Sequence, residues 1–267
     1  MFNRMQSHSF LQDNPSFLIP NSQIDRMPLE LRELCESYNS ECREEKREED
    51  AAAQSDWPVA LFVPSSYVEN YAYPLVIWFH DERSSEAELN LVMNAIGDQN
   101  YCGLAIRGNQ NLQGPDEFGW SKTSLQFGSV PLHKLINITA RRLRRAFHIH
   151  SERIFVAGSG SGADVALRLF AECPQWFAGA IAIDPKCNEE LLLGDTSEMR
   201  GKNILQTVSR TASDEDLAAN LETVRMFRTA GVQMDVRVMD EPLDPCSNSA
   251  RFLDSWLISH LNCETYV

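Results

Sequence analysis

Five consecutive residues, Gly158-Ser159-Gly160-Ser161-Gly162, lie between the apolar run Ile154-Phe155-Val156-Ala157 and a helical pattern that begins at Ala163. A strand that turns sharply into a helix through the pattern G-x-S-x-G lifts its middle serine onto a strained crest, where the hydroxyl is open for nucleophilic attack. In this chain the middle position is Gly160, and serines flank it on both sides. Glycine accepts a strained backbone at no steric cost, so the turn is expected to survive while the hydroxyl is lost. A one-residue shift on a tight turn re-aims a side chain, and attack needs contact near ~3 Å, so neither Ser159 nor Ser161 inherits the role by adjacency.

An attacking serine also needs an imidazole to take its proton and an acid to orient that imidazole. No histidine falls between His150 and His260. His148 and His150 precede the elbow strand at the end away from the turn, and His260 sits on the last helical pattern. Two histidines two residues apart on a short connector do not make a metal pair. Seven cysteines, an odd number with no C-x-x-C, suggest neither a zinc ribbon nor a disulfide framework, so no metal and no cofactor is expected. Gly158, Gly160 and Gly162 with Ala163 imitate a dinucleotide loop but lack its spacing, and their strand is not the first of the series. The basic run Arg141-Arg142-Leu143-Arg144-Arg145 reads as a helix end that attracts cations through its dipole, in preference to a phosphate site.

The elements that must position these residues alternate regularly. Strand patterns cover 57–63, 74–80, 101–107, 153–157, 178–183, 203–208 and 232–239. Helical patterns cover about 84–99, 132–147, 162–172 and 214–230, with a closing helix spaced by Ala250, Leu253, Trp256, Leu257 and Leu261. Ser213 with Asp216 is a variant capping box that opens the 214–230 helix, and Gly231 supplies its stop. Residues 108–128 and 184–202 read as loops. Run 74–80 is apolar on both faces, as a strand covered by helices on both sides must be. The implied fold class is α/β, a doubly wound and mostly parallel sheet in a three-layer sandwich. Residues 1–56, with the charged helical stretch 28–53, read as an N-terminal extension, and 57–267 as the α/β domain.

A formal net charge of -14 argues against nucleic acid or an anionic membrane surface as main partner. There is no run of 18 apolar residues and no secretory pattern at the start, so neither a membrane span nor export is expected, and the chain reads as cytoplasmic.

Residues 57–262 resemble an α/β-hydrolase-fold protein, closest to the phospholipase/carboxylesterase group of serine esterases. The resemblance is carried by YAYPLVIWFHD, similar to that group's strand ending in His-Gly, by FHIHSERIFVAGSGSGADVAL, similar to its strand, elbow and helix, and by LRLFAECPQWFAGAIAI, similar to the helix, proline and strand that follow. It implies that the nucleophile position is Gly160, that the histidine position lies in 240–249, which contains none, and that the acid position is Ser213. Asp214 next door fits a first-turn acid of the helix, and Asp184, at the end of the preceding strand, is the other acid candidate. The group's His-Gly stands here as His80-Asp81, so a carboxylate is expected near the place where developing negative charge should be welcomed. His80 is expected to orient that loop.

Loss of a triad serine or histidine typically lowers kcat by about 10⁶, roughly 8 kcal/mol, and the losses overlap. The sequence therefore reads as a non-catalytic protein of the hydrolase frame with a binding or scaffolding role toward a small acyl-type ligand or a protein partner. Phe118 and Trp120 are the expected cleft wall; the other reading of both is core filler. The alternative function is a serine carboxylesterase or thioesterase whose nucleophile has moved to Ser159 or Ser161.

Overall fold

The computed structural model describes residues 57–121, 124–187, 193 and 195–261, together with Leu29, Arg32, Glu33, Glu36 and Ser40. Those five N-terminal positions are helical, and Leu29 is exposed. The rest of the extension and the residues after 261 lie outside the described residues.

Seven strands form one sheet in the order β1-β3-β2-β8-β9-β10-β11. They are β1 (Val59–Phe62), β2 (Tyr73–Phe79), β3 (Cys102–Ile106), β8 (Ile149–Ser159), β9 (Gly179–Ile183), β10 (Asn203–Ser209) and β11 (Gln233–Met239). β1 runs antiparallel to β3, and every other pairing in the sheet is parallel. Between the parallel strands run α1 (Leu89–Ile96), α2 (Leu132–Ala146), α3 (Ser161–Glu172), a short α4 (Thr196–Met199) and α5 (Asp214–Thr229), and α6 (Phe252–Leu261) closes the chain. The doubly wound α/β architecture read from the sequence is the one observed.

Alternation along the central strands sends side chains into two cores. Leu75, Ile77 and Phe79 of β2, with Ile154 and Val156 of β8, face the side covered by α2, α3 and α5. Val76, Trp78, Phe155 and Ala157 face the side covered by α1 and α6. Both faces of β2 are completely buried, which is why its sequence is an unbroken apolar run instead of an alternating one.

Two differences from the sequence reading have local causes. The stretch 108–128 is not a plain loop. It pairs Gln110–Asn111 (β4) with Phe118–Gly119 (β5), and Gln126–Phe127 (β6) pairs with Val130–Pro131 (β7). Two-residue ladders are too short for periodicity to reveal them. Strand β8 begins at Ile149 instead of 153, because polar residues at its start still pair with β2 across a register shift between Tyr73 and Leu75.

Candidate functional site

The elbow lies where β8 ends and α3 begins, and its shape follows from backbone contacts. Gly160 has φ +52° and ψ −120°, in the left-handed half of conformational space where a side chain is strained. Gly158 and Gly162 are required for another reason. A Cβ on Gly158 would overlap the carbonyl of Gly162, and one on Gly162 would overlap the carbonyls of Phe79 and His80. Helix α3 thus sits directly against the ends of β8 and β2, closer than any side chain would allow. Gly160 donates its N–H to the carbonyl of Ile183 at 2.8 Å, which anchors the crest to the neighbouring strand.

The flanking serines are held apart by this turn. Ser159 is the last residue of β8 and is buried within the sheet, in register with Ile183. Ser161 is the first residue of α3 and half-buried, and its hydroxyl donates to Asp81 Oδ1 at 3.2 Å.

Asp81 is the principal side chain at the crest. Its Oδ1 also accepts the backbone N–H of Ser161 at 2.8 Å and that of Glu82 at 2.7 Å. The same carboxylate fills the space over Gly160, so that a Cβ built there would overlap it. The residue after the nucleophile and the turn after an inner strand are the two sources of oxyanion donors in an elbow of this kind. The Asp81 carboxylate, expected near this turn, is bonded to the N–H groups of Ser161 and Glu82.

The Asp81 turn is held from behind by His80, Gly108 and Trp120, of which the sequence reading named His80 and Trp120 but not Gly108. His80 is fully buried. Its Nε2 accepts the backbone N–H of Gly108 at 3.0 Å, which leaves Nδ1 to carry the ring proton and donate to the Asp81 carbonyl at 2.7 Å. Burial pushes the imidazole pKa below its usual 6.5, against smaller opposing contributions from the Asp81 carbonyl and from Glu86. Both ring nitrogens are engaged in backbone contacts, which join the turn after β2 to the one after β3. Trp120 donates its indole N–H to the His80 carbonyl at 2.8 Å and packs edge-on against Phe79. It is 7% exposed and lies in the core beside Phe79 and Phe127, in keeping with the core-filler reading of this residue. Phe118 is half-buried beneath the Arg107 guanidinium, 4.3 Å from the ring centroid, and Arg107 is in turn bonded to Glu86 through Nε at 2.8 Å.

Of the remaining candidates, Ser213 and Asp214 belong to the start of α5, and Asp184 follows Ile183, whose carbonyl accepts the Gly160 N–H. Ser213 is the N-cap of α5: its hydroxyl accepts the Asp216 N–H at 3.1 Å and donates to the Asp216 carboxylate at 2.8 Å. Asp214 is exposed in the first turn of that helix. Asp184 follows β9 with φ +46° and accepts the Leu243 N–H through Oδ2 at 2.9 Å, tying the loop after β11 to the sheet. Burial raises its pKa, partly offset by the backbone N–H groups of Leu243 and Ser209.

The other described histidines have partners of their own. His148 Nδ1 contacts the Glu69 carbonyl at 3.1 Å, and His150 accepts the Glu152 N–H at 3.1 Å. From His150 to the elbow is almost the whole of β8, roughly 30 Å at strand rise. His260 contacts the Trp256 carbonyl at 2.7 Å through Nδ1 and lies over the Trp256 ring, and His133 faces Trp176 at 6.2 Å. Among the described residues no group of three or more His, Cys, Asp or Glu is arranged to hold a metal ion, and no helix is long and apolar enough to cross a membrane. A cleft of about 230 Å³ opens beside Leu125, the start of α2 and the second half of α3 at Arg168 and Glu172, with none of the elbow residues in its lining.

Neither a protein-family profile nor a curated protein sequence matches this chain. Its likeness to solved structures is extensive. A carboxylesterase from Bacillus cereus superposes with a TM-score of 0.60 at 15% identity, covering 80% of this chain and 99% of that one. A carboxylesterase from Mesorhizobium loti gives 0.55 at 17% identity over 70% and 90% of the two chains. YahD, solved with malic acid, gives 0.55 at 15% identity over 76% and 99%. An elbow at the end of a central strand, a mostly parallel seven-stranded sheet and these neighbours agree: the chain has the α/β-hydrolase fold.

Proposed function

We propose that this protein is a non-catalytic member of the hydrolase frame that acts by binding or scaffolding, in the cytoplasm. The observation that carries the reading is the crest itself, which presents glycine at 160 and, on the neighbouring N–H groups, the carboxylate of Asp81. Acyl transfer needs an activated hydroxyl there and an empty pair of donors for the oxyanion. Loop 240–249, which the fold would use for the base, contains no histidine. A hydroxyl without imidazole is a very poor nucleophile near neutral pH. Between the two kinds of partner, a protein surface is favoured over a small acyl ligand at the crest, since the polar groups that would receive an acyl carbonyl are already bonded to Asp81.

The test is a fluorophosphonate probe, which labels activated serines, together with hydrolysis of a short-chain nitrophenyl ester by material free of contaminating esterase. No stoichiometric labelling is expected, and any rate should not exceed the roughly 10³–10⁴ over water that binding and donors alone provide. Gly160→Ser is expected to restore nothing, because it adds a hydroxyl without a base. Labelling that disappears on Ser159→Ala or Ser161→Ala would overturn the reading in favour of an esterase with a displaced nucleophile.

A further inference from the structure

Position 81 is where this turn departs from the expected His-Gly, and its carboxylate points inward. Oδ1 receives two backbone N–H groups from separate segments, Ser161 at the head of α3 and Glu82 in the turn after β2, and a third donor from the Ser161 hydroxyl. Hydrogen bonds from N–H groups to an ionised oxygen at these lengths are stronger than neutral ones. The carboxylate also fills the volume that a side chain on residue 160 would need, so glycine at 160 and aspartate at 81 are two halves of one arrangement. The main chain at 81 is fixed in turn by His80, Gly108 and Trp120.

Resting on the non-catalytic reading above, we propose that Asp81 is a tethered occupant of the oxyanion donors, an autoinhibitory contact by which the chain closes its own crest to the carboxylate or acyl carbonyl of any ligand. The donors keep an anion-holding geometry because the chain supplies the anion. An outside carboxylate reaches them only by displacing Asp81, whose attachment gives it an effective concentration that a free ligand does not match.

The experiment follows the backbone amide resonances of Ser161 and Glu82 in the full chain while butyrate, a carboxylate with a short acyl chain, is added. In the unmodified protein both amide protons should lie far downfield and stay there throughout the titration. In Asp81→Gly both should move upfield and then return downfield along a saturable curve with a dissociation constant on the order of millimolar. Asp81→Asn, which keeps the shape and removes the charge, should move both upfield by less and respond to butyrate more weakly; it carries the test if Asp81→Gly does not fold. The proposal is overturned if butyrate shifts these two amides as readily in the unmodified protein as in the variants. It is equally overturned if the amides ignore loss of the carboxylate. Fluorophosphonate labelling at Ser159 or Ser161 would sink the non-catalytic reading without moving these shifts, and an open donor pair in the unmodified protein would sink the tethered occupant without implying turnover.

Discussion

Two strand-to-helix turns at the same end of the parallel strands, β8 to α3 and β10 to α5, are held in different ways. The first follows a sharp elbow path with glycine at its apex. The second keeps its strand and helix, but Ser213, at the position the resemblance assigns to the acid, serves as a helix cap. The difference lies in what fixes each turn. At the elbow, main-chain atoms of 158, 162, 79 and 80 touch one another, so the geometry is a condition of packing α3 on the sheet at all. After β10 the turn is held by hydrogen bonds: Arg210 donates to the Met239 carbonyl, the Ser209 hydroxyl accepts the Thr211 N–H, and the Ser213 hydroxyl caps α5, a task that any small residue with an acceptor oxygen can serve. A geometry enforced by the backbone does not depend on which side chain stands at its apex, whereas a position specified by a side chain is open to whatever local folding requires.

The strongest way to break this comparison is to add one carbon at the elbow. Gly162→Ala drives a methyl group into the carbonyls of Phe79 and His80, and Gly158→Ala into that of Gly162. Backbone cannot yield as a side-chain tip can, so each should lose more than about 3 kcal/mol, the upper end of overpacking, or fail to fold. Urea denaturation measures this. A loss within ~0.5 kcal/mol, the level of an ordinary surface change, would mean that the elbow is not held by close packing.

Next in size is Gly160→Ala, where strain at φ +52° and overlap with Asp81 add. We expect a loss of about 2–3 kcal/mol. In an Asp81→Gly background the overlap is relieved and only the backbone term remains, so the two changes should couple favourably by about 1–2 kcal/mol in a double-mutant cycle. Additive losses would separate the two positions and deny that they form one arrangement.

A smaller effect follows from His80, which ties the two inner strands' turns together. Its folded pKa is lowered below 6.5 by burial, so as pH falls through about 6.5 the unfolded chain takes up a proton that the folded one refuses. Unfolding is then favoured by acid, and stability should fall with decreasing pH from that point down to the folded pKa. The groups facing the ring are the Asp81 carbonyl and side chain, Glu86 and Arg107. Denaturation midpoints of the protein and of His80→Asn, compared across this range, should show the acid-side slope reduced in the variant.

Most of the frame was legible in the sequence, because apolar runs such as 74–80 and turn residues such as Gly231 answer to local periodicity and sterics. That residue 160 is glycine and that 240–249 holds no histidine is read directly from the sequence. What escaped was the positive content of the site. That Asp81 bonds the N–H groups of Ser161 and Glu82 depends on two loops brought together by the parallel pairing of β2 with β8, which no window of sequence contains. The roles of Gly108 and Trp120 behind His80 were hidden likewise, because they lie 28 and 40 residues further along the chain. The one available signal was the coincidence of Asp for glycine at 81 and Gly for serine at 160.

The smallest effect sharpens the comparison from the other side. Ser213→Ala removes an acceptor from the Asp216 N–H and the partner of the Asp216 carboxylate, at an exposed helix end where water can take over part of the bonding. The expected loss is about 1 kcal/mol, and Ser213→Asp should recover only part of it, since aspartate caps the Asp216 N–H about as well as serine but meets the Asp216 carboxylate with a like charge. If the turn after β10 is only a cap, Ser213→Asp also leaves ester hydrolysis at the background of the unmodified protein, although it returns a carboxylate to the position of the fold's acid. Stability between that of Ser213→Ala and the parent with no gain in turnover is the outcome that separates a helix cap from an acid awaiting a partner, because an acid has a catalytic task only where an imidazole stands ready to be oriented.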